Sequence, residues 1–87
     1  MTQAETTRDH DKIRRWVEAR KGRPSRAKGA SDGGILRIDF GERDAHLEPI
    51  SWVEFFQIFD HNRLSFLYQE KVADGGLSRF NKFVDRT

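Results

Sequence analysis

Eighty-seven residues make one domain, or one domain with a tail. The chain contains no cysteine, which excludes disulfides and thiolate metal sites. Net charge is only +2, but residues 1–31 carry nine basic and four acidic groups, whereas residues 32–87 carry seven and ten. Such an asymmetry hints at an anionic partner for the basic part.

Residues 1–6 are polar and without periodicity, so a disordered N-terminal tail is expected there. Residues 7–87 are expected to form the single small domain. A first helix should start near Thr7 to Asp9, since Asp9 and Asp11 suit a helix N-terminus. Ile13, Trp16 and Val17 form its apolar stripe, with His10 on the same face. The helix should stop by Gly22, because Pro24 cannot continue it.

Arg23 to Gly34 contains no large apolar side chain, and its composition is that of a flexible basic loop. Leu36, Ile38 and Phe40 alternate with Arg37 and Asp39, the pattern of a half-buried strand closed by Gly41. A polar connection follows, anchored only by Leu47.

The richest stretch is Ile50 to Gln69. Ser51 and Glu54 form a capping box, and Ile50 and Phe55 occupy the positions of a hydrophobic staple, so a helix starts after Ser51. On a helical wheel, Val53 and Ile58 flank Trp52, Phe55, Phe56 and Phe59 in an apolar arc of roughly 220°. An ordinary surface helix shows a stripe of only about 100° or slightly more. Cover from two directions is therefore expected, by a sheet and by the other helix. Phe56 is expected in the core, where truncation to alanine costs about 3–5 kcal/mol. Part of the arc near Trp52 and Val53 is a candidate partner-binding patch.

Asp60-His61-Asn62 ends this helix, with Asn62 the candidate left-handed residue. Leu64, Phe66 and Tyr68 then alternate with Ser65, Leu67 and Gln69. Leu67 on the second face suggests a central strand. Asp74-Gly75 is a turn signal, and Leu77 to Val84 reads as a third strand with imperfect alternation, hence a bulge or register ambiguity. The expected fold is α+β, in the order helix-strand-helix-strand-strand. A small antiparallel sheet of about three strands should be packed by two helices, with the Leu36 strand beside the final hairpin. The sequence displays no internal repeat.

Chemistry is hard to find. His10, His46 and His61 lack metal-ligand spacing, and no phosphate-loop, nucleophile-elbow or dinucleotide fingerprint is present. No catalytic residue, metal or cofactor is expected. The strongest functional signal is the basic run of Arg14, Arg15, Arg20, Lys21, Arg23, Arg26 and Lys28, broken only by Glu18. Arginine forks suit phosphates, so nucleic acid or another polyanion is one candidate partner. A protein partner docking elsewhere is the other, and the better description of the two is a non-enzymatic binding or accessory protein. No signal peptide or membrane span is expected, so the setting should be cytoplasmic, with a monomer expected in preference to an obligate oligomer.

Several segments carry a resemblance: D-H-D-x-I-R-x-W from Asp9, G-I-L-R-I-D-F from Gly34, I-S-W-x-E-F-F-x-x-F from Ile50, F-L-Y-Q from Phe66, A-D-G from Ala73 and S-R-F-x-K-F-V from Ser78. On these the chain resembles a family of small bacterial proteins of unknown function. The likeness spans nearly the whole chain beyond residue 8. It implies a bacterial source and supplies no catalytic residues. Members are sometimes labelled 1,4-alpha-glucan branching enzyme. That activity belongs to a barrel of about 250 residues, which a chain this short cannot build.

Overall fold

The computed structural model describes residues 3–29 and 36–86. Its elements run β1 (Ala4–Thr7), α1 (His10–Ala19), β2 (Gly22–Ala27), β3 (Leu36–Phe40), β4 (Leu47–Pro49), α2 (Trp52–His61), β5 (Leu64–Gln69) and β6 (Asn81–Asp85). The fold is α+β. Two three-stranded antiparallel sheets, β1-β5-β6 and β3-β2-β4, are packed by the two helices.

Both helix starts follow from local chemistry. The Asp9 carboxylate accepts from the Lys12 amide at 3.2 Å, and the Ser51 hydroxyl accepts from the Glu54 amide at 3.0 Å. Each satisfies one orphan donor of the first turn. Ile13, Trp16 and Val17 of α1 and Phe55 and Phe59 of α2 meet Leu36, Ile38, Leu64, Phe66 and Tyr68 in one buried core. β5 lies at the centre of its sheet, as Leu67 on its second face suggests.

Several expectations are corrected. Ala4 to Thr6, expected in a disordered tail, and Thr7, expected near the start of the first helix, form β1 and pair with β5 from Ala4 opposite Gln69 to Thr7 opposite Phe66. Polarity misled because an edge strand needs backbone partners more than apolar side chains. Residues 23–27, assigned to a flexible loop, belong to β2, the central strand of the second sheet; residues 30–34 of that segment lie outside the described residues. Pro24 is tolerated because it sits at the end of the β2-β4 ladder. Its carbonyl still accepts there from the Ile50 amide at 3.2 Å, and no amide of its own is needed to continue the pairing. The Leu36 strand, β3, pairs with β2 and not with the β5-β6 hairpin.

Both helices end within the expected bounds, α1 before Gly22 and α2 at His61 with Asn62 as its cap, but the left-handed residue is displaced. Arg63, not Asn62, takes the left-handed conformation with φ 52°, and Lys21 does so with φ 58°. Phe56 is only partly buried, because α1 offers it a histidine ring in place of apolar cover. The last strand starts at Asn81, leaving Leu77 and Phe80 exposed.

The chain does contain a structural repeat. An offset of 42 carries His10 onto Trp52, Ala19 onto His61 and Gly22 onto Leu64, the bounds of helix and following strand. It also carries the cap Asp9 onto Ser51, left-handed Lys21 onto Arg63, and buried Ile13 and Val17 onto Phe55 and Phe59. Each half is strand-helix-strand-strand, and each lends its first strand to the other half's sheet: β1 joins β5, and β4 joins β2. Side-chain identities differ too much for this to be legible in the sequence.

Candidate functional site

The basic run folds into the end of α1 and the length of β2, where the acidic residues of the later chain meet it. Arg14 Nε lies 3.1 Å from Glu18 Oε2. Arg23 Nη2 is 3.4 Å from Asp39, its cross-strand neighbour, and donates to the Gly41 carbonyl at 2.8 Å. Arg26 Nε is 2.7 Å from Glu48, again its cross-strand neighbour, and Nη1 is 3.9 Å from Glu54. The lopsided charge of the sequence is thus partly spent within the fold.

Arg20 is a different case. Only 5% exposed, it donates to the carbonyls of Trp16, Glu70 and Ser78 and to the Glu70 carboxylate. It knits the end of α1 to the β5-β6 connection and has no face left for a phosphate. Of the seven candidates, Arg15, Lys21 and Lys28 are exposed and make no side-chain hydrogen bond or ion pair with a described residue. Lys21 lines a shallow depression with Ala19, Arg20, Leu77 and Arg79. Phe80, next to Arg79, is 47% exposed, whereas Tyr68 is buried.

Trp52 and Val53 sit at the start of α2 and face α1. A concavity of about 410 Å3 lies between the helices, walled by His10, Asp11 and Arg14 on one side and Val53, Gln57 and Asp60 on the other. Trp52 and Phe56 form its apolar floor, stacked on each other with centroids 5.3 Å apart. The His10 ring stacks on Phe56 at 4.0 Å and 8°, while its Nε2 lies 2.9 Å from Asp60 Oδ2. The Arg14 guanidinium lies 5.9 Å from the Trp52 ring centre. Val53 is 68% exposed, the most open of the large apolar side chains described as exposed.

The α1 wall of this groove was missed from sequence. Its only signal was the spacing of His10 and Arg14, which places both on one helix face. Among the described residues no three histidine, aspartate or glutamate side chains gather as a metal set, and no helix is long and apolar enough to cross a membrane.

No family model, curated protein or solved structure matches the chain.

Proposed function

We propose that this chain is a non-enzymatic binding module that engages a protein partner through the groove between α1 and α2. Val53 carries the proposal. An apolar side chain this open, on the lip of a groove floored by Trp52 and Phe56, offers contact area that the fold itself leaves unused. Asp11 and Asp60 on the rim, with Arg14 and His10, supply both signs of charge around the apolar centre, the arrangement of a core and polar rim. A bacterial, cytoplasmic setting belongs to the same proposal; the sequence resemblance supports the bacterial source.

A photocrosslinking residue at position 53, compared with one at exposed position 43, tests this in the source cells. One discrete adduct specific to position 53, lost with Trp52→Ala, supports the groove. Equal adducts from both positions, or none, overturn it.

A second reading, nucleic acid or another polyanion, is favoured by exposed Phe80 beside Arg79 and by Lys21 across the adjoining depression. Bases stack on exposed aromatics while flanking cations hold phosphates. An amide NMR titration with short DNA and RNA at about 50 and 200 mM salt decides it, since phosphate contacts must fade at the higher salt.

A further inference from the structure

We propose that the end of the β1-β5-β6 sheet is a binding site for a phosphate-type oxyanion, a site separate from the basic run. Thr6, Thr7 and Arg8 from β1 and its continuation, Ser65 from β5 and Arg86 from beyond β6 line a concavity of about 370 Å3. The strand registers bring them together. Thr7 lies opposite Phe66 and Leu64 opposite Asp85, so Arg8 and Arg86 emerge on either side of Ser65. The lining holds two guanidinium groups, three hydroxyls and no carboxylate.

Three features point to a ligand. Ser65 is 9% exposed, yet its hydroxyl makes no hydrogen bond to a described residue; because no sealed side-chain polar atom is left unsatisfied, this oxygen opens into the concavity. Arg8 is exposed and its side chain has no hydrogen-bond or ion-pair partner among the described residues. Arg86, by contrast, is held in place. Its Nε and Nη2 donate to the Leu64 carbonyl at 3.0 and 2.6 Å, which leaves Nη1 without an acceptor among the described residues. A guanidinium already fixed loses little entropy on binding, and an Nη1 N–H can give a charge-assisted hydrogen bond to one phosphate oxygen.

Among the described residues Arg86 makes its ion pair with Asp60, 3.4 Å from Nη2 and also 2.9 Å from His10, and that carboxylate does not line the site. Packing does not demand these side chains. In the other half the strand registers place Pro49 and Ile50 at the positions of Thr6 and Thr7, and the offset of 42 places Arg23 at that of Ser65. The three hydroxyl positions of this corner are therefore filled there without a hydroxyl.

Inorganic phosphate and the terminal phosphate of a small monoester share this chemistry. The test is an amide NMR titration of the whole chain with inorganic phosphate and with glycerol phosphate, each against chloride at matched ionic strength. Saturable shifts centred on Thr7, Arg8, Ser65 and Arg86 are expected. Arg8→Ala and Ser65→Ala should each weaken binding about tenfold or more, as loss of one charge-assisted contact implies. Arg8 is exposed and Ser65→Ala removes one oxygen, so both variants should keep the wild-type amide spectrum elsewhere. Tighter binding of glycerol phosphate identifies an esterified ligand, and equal or tighter binding of inorganic phosphate identifies the free ion. Shifts that rise linearly as with chloride, that centre on Lys21 and Arg79, or that survive both substitutions overturn the proposal.

Discussion

The Arg20 guanidinium carbon sits 4.1 Å from the ring centre of Trp16, four residues earlier on the same helix. Around that stack, the arginine satisfies carbonyls from α1 and from both ends of the β5-β6 connection. The most basic-looking part of the sequence therefore contains a structural strut. Arg20→Ala should cost about 3 kcal/mol or more in urea denaturation, because several buried acceptors lose a charged donor at once. Arg20→Lys should recover less than half of that, since an ammonium cannot span the three carbonyls as a planar fork does. A cost below about 1 kcal/mol for the alanine variant would mean that water replaces the guanidinium without penalty.

Gly22 should not accept even one extra carbon. A Cβ there would lie 2.8 Å from Ile38 Cγ2, 2.9 Å from Val17 Cγ1 and 3.0 Å from Phe40 Cε1. Its φ is unremarkable, so the constraint is packing and not backbone conformation. Gly22→Ala should destabilise by about 1–3 kcal/mol through overpacking, measured by thermal or urea unfolding. A neutral substitution would show that α1 and β3 can part at no cost.

Phe55 and Phe56 are neighbours with different roles. Phe55 is fully buried, against Phe59 and Phe83, while Phe56 faces the groove beneath His10. Phe55→Ala should cost about 3–5 kcal/mol, and Phe56→Ala clearly less. Equal losses in equilibrium unfolding would mean that the groove side is as tightly packed as the core.

Val53→Glu should leave stability within about 0.5 kcal/mol of wild type, as expected of an open surface position. The same change should abolish the position-specific adduct in the presence of the partner, read from a crosslinker placed at Gln57. Retention of that adduct at full yield would move the docking surface away from the groove.

Legibility from sequence tracked the type of side chain that made each element. Ser51 and Glu54 with Ile50 and Phe55 announced α2, and Leu64, Phe66 and Tyr68 announced β5, because caps and apolar periods are local signals. β2 was hidden. Gly22-Arg23-Pro24-Ser25-Arg26-Ala27 has the composition of a loop, and it becomes a central strand because Arg23 and Arg26 find Asp39 and Glu48 on the flanking strands. Those pairings depend on residues 16 and 22 positions away, beyond any local window. The groove was half legible for a similar reason. Trp52 and Val53 stood out by hydrophobicity, whereas His10 and Arg14 joined them only through the packing of α1 on α2.

β1 offers the sharpest contrast between composition and structure. Ala4, Glu5, Thr6 and Thr7 have no apolar pattern, yet they cover one flank of β5, the strand that carries Leu64, Phe66 and Tyr68 into the core. Removing residues 1–7 would leave that flank unpaired and would also take away the Thr7 hydroxyl that accepts from the Asp9 amide at the start of α1. Four cross-strand pairs at about 0.2–1 kcal/mol each predict a loss of about 1–4 kcal/mol. The truncated chain should therefore melt earlier, and it should no longer bind phosphate, having lost two of the three hydroxyls. In the intact protein, slow hydrogen exchange should extend into Ala4 to Thr7. Fast exchange there, with no change in melting on truncation, would show that β5 is stable with one flank open.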